Sequence, residues 1–259
     1  MQLDNDFVIN FDNYDLGLIA WFTPTSRLPN NMPDIDLKAI QLVRSDGGIV
    51  VSRQFTKKII EVYGYILAPS RQSYEEAIDQ LKWKLSVKQR PLIITQSGAE
   101  RIYTASCTAL SDGFIEAGKS FISITFECND PFGKDAFSTI YTSGTLTAAT
   151  NSVSYVFEGY VDVLPRITTT FTAVAGAANK SVYIGNRITG QEIMITRSWS
   201  NADVLVVDSD IQQVLVNGVS VDYTGFFPVF EPGTAYLQYR DDFTTRSIIV
   251  GVEYVKKYL

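Results

Sequence analysis

The sequence predicts a mostly β protein: an α+β first domain of β-sheets with one amphipathic helix, then a second domain that is a β-sandwich. Three observations carry this. The chain is rich in strand formers, with 14 Tyr, 15 Phe and many Val, Ile and Thr among its 259 residues. Several runs alternate apolar and polar residues with period two, most clearly Ile122, Ile124, Phe126 and Cys128 against Ser123, Thr125 and Glu127. One stretch alone has a strong helical period. With 46% hydrophobic and 19% charged residues, the composition is that of a globular protein large enough to need no disulfide or metal staple.

In chain order, Phe7–Phe11 and Leu18–Phe22 read as strands of one hairpin, separated by Asn13, Asp15 and Gly17. Residues Thr23–Asp36 hold three prolines and little periodicity, so they read as an exposed loop or arm able to wrap a neighbour. Ala39–Arg44 and Ile49–Gln54 form a second hairpin about Asp46-Gly47-Gly48, and Lys58–Leu67 is a further strand. The helix follows over residues 73–86, with Ser73 as N-cap and Glu76 completing a capping box. Tyr74, Ala77, Ile78, Leu81 and Leu85 make its apolar face, and the mixed charges opposite argue against a membrane-surface helix. Arg90-Pro91 ends the excursion, Leu92–Thr95 and Arg101–Ala109 resume the strands, and Phe121–Cys128 closes the half.

At Asp130-Pro131-Phe132-Gly133 the chain turns: Asp side chains bond nearby backbone, Pro131 fixes its own φ, and Gly133 admits a positive φ. We read this as the boundary between a domain over residues 1–133 and another over 134–259. Beyond it helix signals vanish and short strands recur every 8 to 12 residues or so, the pattern of a sandwich. The predicted strands are Ser138–Leu146, Val153–Tyr160, Arg166–Ala173, Ser181–Ile184, Glu192–Arg197, Val204–Asp208, Gln213–Val216, Ala235–Arg240 and Ser247–Glu253, with Asn217-Gly218 as a two-residue hairpin turn before Val219–Tyr223.

A formal net charge of −6 argues against nucleic-acid binding as the main task, since that affinity comes from Lys and Arg meeting phosphates. No secretory signal and no membrane-spanning run is evident, so folding in a cytoplasm is expected. Cys107 and Cys128 are the only cysteines. A regular hairpin register sets Cys107 opposite about Ile122, so buried free thiols are favoured over a disulfide.

The chain has no histidine, which removes the usual general base, the usual partner of a nucleophilic Ser or Cys and the commonest zinc ligand. Asp208 with Asp210, or Asp241 with Asp242, could pair as carboxylates, but adjacent acids in loops are far more often solvated turn residues. Asp4, Asp6, Asp12 and Asp15 lack the spacing of a calcium loop. Asn179-Lys180-Ser181 fits a glycosylation site without the secretory context for it. Trp199, Tyr223, Phe226, Phe227, Phe230, Tyr236 and Tyr239 could stack on sugars; filling a core or a subunit contact explains them better. No catalytic, metal or cofactor site is expected.

The order of several motifs resembles the distal tail proteins of long, flexible-tailed bacteriophages over nearly the whole chain. In the first half these are Gly64-Tyr65-Ile66, the helix, Gly98–Ala105 with Arg101 and Tyr103, and Cys128-Asn129-Asp130-Pro131-Phe132. In the second they are Val163-Leu164-Pro165-Arg166-Ile167, Asn186–Ile195 around Gly190, Leu205–Asp208, Val214–Gly218, and a loop with Phe227-Pro228 followed by Pro232-Gly233. That last segment is the most specific, although Thr234 stands where the family usually has Asn. The resemblance implies a structural virion protein of a tail tip, assembled in the host cytoplasm. It implies a ring, usually a hexamer, that joins the tail tube protein to the baseplate hub and lets DNA pass without specific binding or any membrane contact. It also implies a split-barrel arrangement of the first domain's β-sheets and a galectin-like fold for the sandwich. The alternative reading is a carbohydrate- or receptor-binding sandwich that touches the host surface.

Overall fold

A computed structural model of the chain describes residues 7–27, 32–41, 48–96, 98–116 and 119–259. It divides into two compact units, Met1–Ala136 with Leu259, and Phe137–Tyr258.

The first unit contains β1 (Val8–Phe11), β2 (Tyr14–Asp15), β3 (Phe22–Arg27), β4 (Ile35–Gln41), β5 (Gly48–Phe55), β6 (Lys58–Leu67), helix α1 (Arg71–Leu85), β7 (Arg90–Gln96), β8 (Ala99–Glu116), β9 (Lys119–Cys128) and the short β10 (Gly133–Lys134). An antiparallel sheet runs in the order β2-β1-β7-β8-β9-β6-β3 and curls, with β10 on β8. Its buried row is the one the alternation predicted, and Ile122, Ile124, Phe126 and Cys128 face Tyr74, Ala77, Ile78, Leu81 and Leu85 of α1 in one core. Strands β4 and β5 pair only with each other among the described residues.

Several expectations need correction here. Leu18–Phe22 is not a strand: Leu16–Leu18 is a 3₁₀ turn capped by Asp15, whose Oδ1 accepts the Gly17 N–H at 2.8 Å. Ile19 and Phe22 are buried while Leu18 and Trp21 are exposed, a spacing of three that belongs to a turn, and Trp21 has φ 68°. The partner of β1 is therefore β7, with Phe11 opposite Leu92, and Asp12-Asn13 make the tight turn to β2. Part of the expected arm is strand, while residues 28–31 lie outside the described residues. Thr23–Arg27 belongs to β3, an edge strand on β6 with a bulge after Pro24, which is where a sheet tolerates proline. Strand β4 starts at Ile35, ahead of the expected Ala39, and most of the predicted turn (Asp46, Gly47) lies outside the described residues.

The helix begins two residues earlier than predicted. Ser70, in extended conformation, is the N-cap, and its Oγ accepts the Ser73 N–H at 3.2 Å. Glu76 accepts instead from Gln72 at 3.1 Å, so no Ser73–Glu76 box forms. Strand β8 runs on through Gly113 and carries two bulges, so Cys107 lies opposite Phe126, not Ile122, while Cys128 lies opposite Ala105. Both thiols are free.

The second unit is a sandwich of β11 (Thr139–Thr142), β12 (Thr150–Phe157), β13 (Arg166–Ala175), β14 (Lys180–Asn186), β15 (Glu192–Arg197), β16 (Val204–Asp208), β17 (Gln213–Val216), β18 (Val219–Ser220), β19 (Thr224–Gly225), β20 (Gly233–Asp241) and β21 (Thr245–Tyr254). One sheet runs β11-β21-β13-β16-β17-β18 and the other β12-β20-β14-β15-β19. Ile167, Phe171, Leu205, Val207, Val250 and Val252 of the first meet Phe157, Val182, Ile184, Ile193, Leu237 and Tyr239 of the second in a single core. Asn217 (φ 51°) and Gly218 (φ 78°) join Val216 to Val219 as the predicted two-residue turn, whose left-handed pair suits the twist of a hairpin.

Candidate functional site

The turn after β9 is stitched to its own unit from several sides. Asp130 Oδ1 accepts the Phe132 N–H at 3.3 Å, and its Oδ2 lies 2.7 Å from Lys134 Nζ. Phe132 packs edge-on against Phe55 with centroids 5.6 Å apart, and Pro131 is buried. Gly133 is required for a different reason from the one expected. Its φ is not in the left-handed range, and a Cβ there would stand 2.8 Å from Tyr103 Oη, so it is glycine because a buried ring crosses its backbone. Arg101 reaches Asp135 at 3.2 Å. Arg101 and Tyr103, noted in the sequence as part of a separate motif, thus both hold this turn. Beside it, burial pushes the Cys128 thiol up to about 12, opposed by nearby Lys58.

In the second unit, three segments that are far apart in sequence converge. Asn186 Nδ2 donates to Val229 O at 2.7 Å while its Oδ1 accepts the Ile188 N–H at 2.8 Å, so one side chain ties the β14–β15 turn to the Phe-Pro loop. Gln191 Oε1 accepts the Val229 N–H at 3.1 Å. Phe230 and Val163 exchange backbone hydrogen bonds of 2.7 and 3.0 Å, and the Phe230 ring sits 5.0 Å from Phe157 in the core. Pro228 is buried, and Phe227 packs on the core and edge-on against Tyr223 at 5.2 Å. Gly233 (φ 111°) then starts β20, while Pro232 and Gly233 are exposed. This loop thus ties Asn186, Gln191 and Val163 together, with Phe226 left 76% exposed.

The acidic pairs are structural. Asp208 Oδ1 accepts the N–H groups of Asp210 and Ile211, and Asp210 meets Lys257 at 3.3 Å. Asp241 is buried and accepts from Tyr239 Oη (2.6 Å), the Phe243 N–H (2.7 Å) and Arg246 Nε (2.9 Å). Burial and this carboxylate push the Tyr239 phenol well above its ordinary pKa. Sequence reading missed this centre, although the inward parity of Leu237 and Tyr239 in β20, carried one step further, points Asp241 inward and Asp242 outward. Of the aromatic group, Trp199, Phe230 and Tyr239 are core residues. Trp199 is wedged against Phe171 at 4.7 Å and donates its indole N–H to Lys180 O, so it offers no face to a sugar. Among the described residues no group of three His, Cys, Asp or Glu is placed to hold a metal, and no helix is long and apolar enough to cross a membrane.

Residues 158–258 match the family described as siphovirus-type tail component, C-terminal domain, the Dit family of phage SPP1. The whole chain superimposes on the crystal structure of the SPP1 Dit protein, described as a paradigm of the hub adsorption apparatus of phages that infect Gram-positive hosts. The TM-score is 0.71 at 17% identity, over 98% of this chain and 99% of that one. A component of the phage P2 baseplate in its activated conformation aligns over 96% of this chain and 97% of its own, at 11% identity and a TM-score of 0.38. No curated protein sequence matches. The resemblance to siphophage distal tail proteins read from the sequence holds: residues 158–258 match their C-terminal domain model, and the chain has the fold of the SPP1 Dit protein.

Proposed function

We propose that this chain is a non-enzymatic building block of a siphophage tail tip, forming a ring, of six copies on the family pattern, between tail tube and baseplate hub. DNA passes through the ring. The observation that carries this is the Dit-family match of residues 158–258 within a fold that follows a Dit protein along its entire length. Physical features agree with it. A curled sheet with an edge strand such as β3, and a hairpin standing apart from that sheet, supply two unlike surfaces for head-to-tail contacts. A net charge of −6 lets a polyanion pass without adhering. The protein's place is then the virion, at the tail tip, and its partners are further copies, the tube protein and the hub protein.

Electron micrographs of the purified protein test the reading. Rings with a central hole wide enough for duplex DNA are expected, and particles without a hole at every concentration, with or without the tail partners, would contradict it.

A further inference from the structure

The turn between β17 and β18 holds the chain's one Asn-Gly pair. The pair suits the turn, since Asn217 (φ 51°) and Gly218 (φ 78°) both take the left-handed conformation that a tight hairpin needs. It is also the setting in which an asparagine is most prone to deamidation, because glycine has no side chain to shield its backbone nitrogen. Gly218 is exposed, and nothing stands within 4 Å of where a Cβ there would be, so no neighbouring group shields the position either.

The fold holds the Asn217 side chain away from that reaction. Its Nδ2 donates to Asp203 Oδ1 at 2.8 Å, its Oδ1 accepts the Val204 N–H at 2.9 Å, and its backbone N–H donates to Val204 O at 2.9 Å. Asp203 is only 8% exposed, and its other oxygen accepts the Ser200 N–H at 2.9 Å. Both ends of the amide are thus held at the start of β16, whereas attack by the Gly218 nitrogen requires the amide carbon to swing back over its own main chain. Both side-chain bonds must break first.

We propose that Asn217 is a deamidation site that the folded sandwich keeps closed and unfolding opens, and that the product carboxylate breaks the tie to Asp203 irreversibly. In the reaction, base removes the Gly218 amide proton and the nitrogen attacks Asn217 Cγ. The N–Cγ bond forms, the Cγ–Nδ2 bond breaks and ammonia leaves, giving a cyclic imide that water then opens. Opening at the backbone carbonyl leaves an isoaspartyl link, whose extra main-chain methylene disrupts the Val216–Val219 pairing of this hairpin. Opening at Cγ leaves aspartate, and the donor that faced Asp203 becomes an acceptor. Two carboxylates at that distance repel, and a charge-assisted hydrogen bond is lost as well.

The test uses the full chain. Folded protein and protein in guanidinium chloride are held at the same mildly alkaline pH and temperature, and the peptide containing residue 217 is followed by mass spectrometry. Two side-chain hydrogen bonds, one of them to a carboxylate, should slow conversion in the folded chain by roughly tenfold or more. Equal rates in the two states would overturn the protection. Asn217→Asp supplies the product directly and should lower the urea midpoint of the sandwich; an unchanged midpoint would overturn the clash. Adding Asp203→Asn exchanges acid and amide across the same gap, which restores a donor, and most of the lost midpoint should return. A double variant no more stable than Asn217→Asp would mean that Asp203 is not what the product meets, and the inference fails. Where Asn217→Asp alone does not fold, recovery of folding in the double variant supports the clash and its absence overturns it.

Discussion

At the scale of single residues, the most consequential position is Asp241. Its side chain is fully buried, and that of Arg246, its partner at 2.9 Å, is 9% exposed. Such a pair adds little over a well-packed apolar pair, but removing one member strands the other charge, at a cost of about 3–5 kcal/mol. Asp241→Ala should therefore lower the stability of the sandwich by about that much in urea unfolding, whereas Asp242→Ala, one residue on and exposed, should be near neutral. The buried thiol and phenols make a second prediction. Cys128 and Tyr155 are both pushed up to about 12 by burial, and Tyr239 is raised as well. Raised values mean that the neutral forms are favoured in the folded state. That stability is fully present below about pH 9 and is lost as pH climbs toward 12. Denaturant midpoints measured from pH 8 to 12 should fall across that window, and Cys128→Ser should flatten the fall for the first unit. Unfolded, unreduced protein should titrate two free thiols; finding none would mean that Cys107 and Cys128 are paired.

At the scale of elements, the apolar face of α1 was legible in full because burial enforces the 3.6-residue period: Tyr74, Ala77, Ile78, Leu81 and Leu85 are the residues its spacing selects. Its start was not. The segment Ser70-Arg71-Gln72-Ser73 offers two serines, and choosing between caps depends on where the backbone turns from extended to helical, which no periodicity records. Ser70→Ala should cost about 1 kcal/mol of first-unit stability in urea unfolding, and Ser73→Ala clearly less. Strands whose two faces differ were read well, and Lys58–Leu67, Glu192–Arg197, Val204–Asp208 and Gln213–Val216 have the predicted bounds. Leu18–Phe22 misled because an apolar run looks the same whether it lies in a strand or folds around a 3₁₀ turn. The register of β8 on β9 misled because bulges leave no trace in residue type. The loop at Phe227-Pro228 was visible as a motif, but its partners Asn186 and Val163 became visible only in three dimensions.

At the scale of the whole molecule, two compact units imply two domains able to fold separately, a further proposal that fragments test directly. A fragment ending at Ala136 and one starting at Phe137 should each give a cooperative melt, and only the first should assemble. Two unfolded fragments would mean that the units are one cooperative body. The architecture was legible because alternation, a single helix and a change of texture after Gly133 each report burial.

A ring of this chain would show first in its mass in solution. One chain is 28.8 kDa. Size-exclusion chromatography with light scattering should give a closed assembly of about six times that value, as expected for a cyclic heterologous oligomer. A single-chain mass at every concentration, unchanged by the tube and hub partners, would mean that the chain forms no ring.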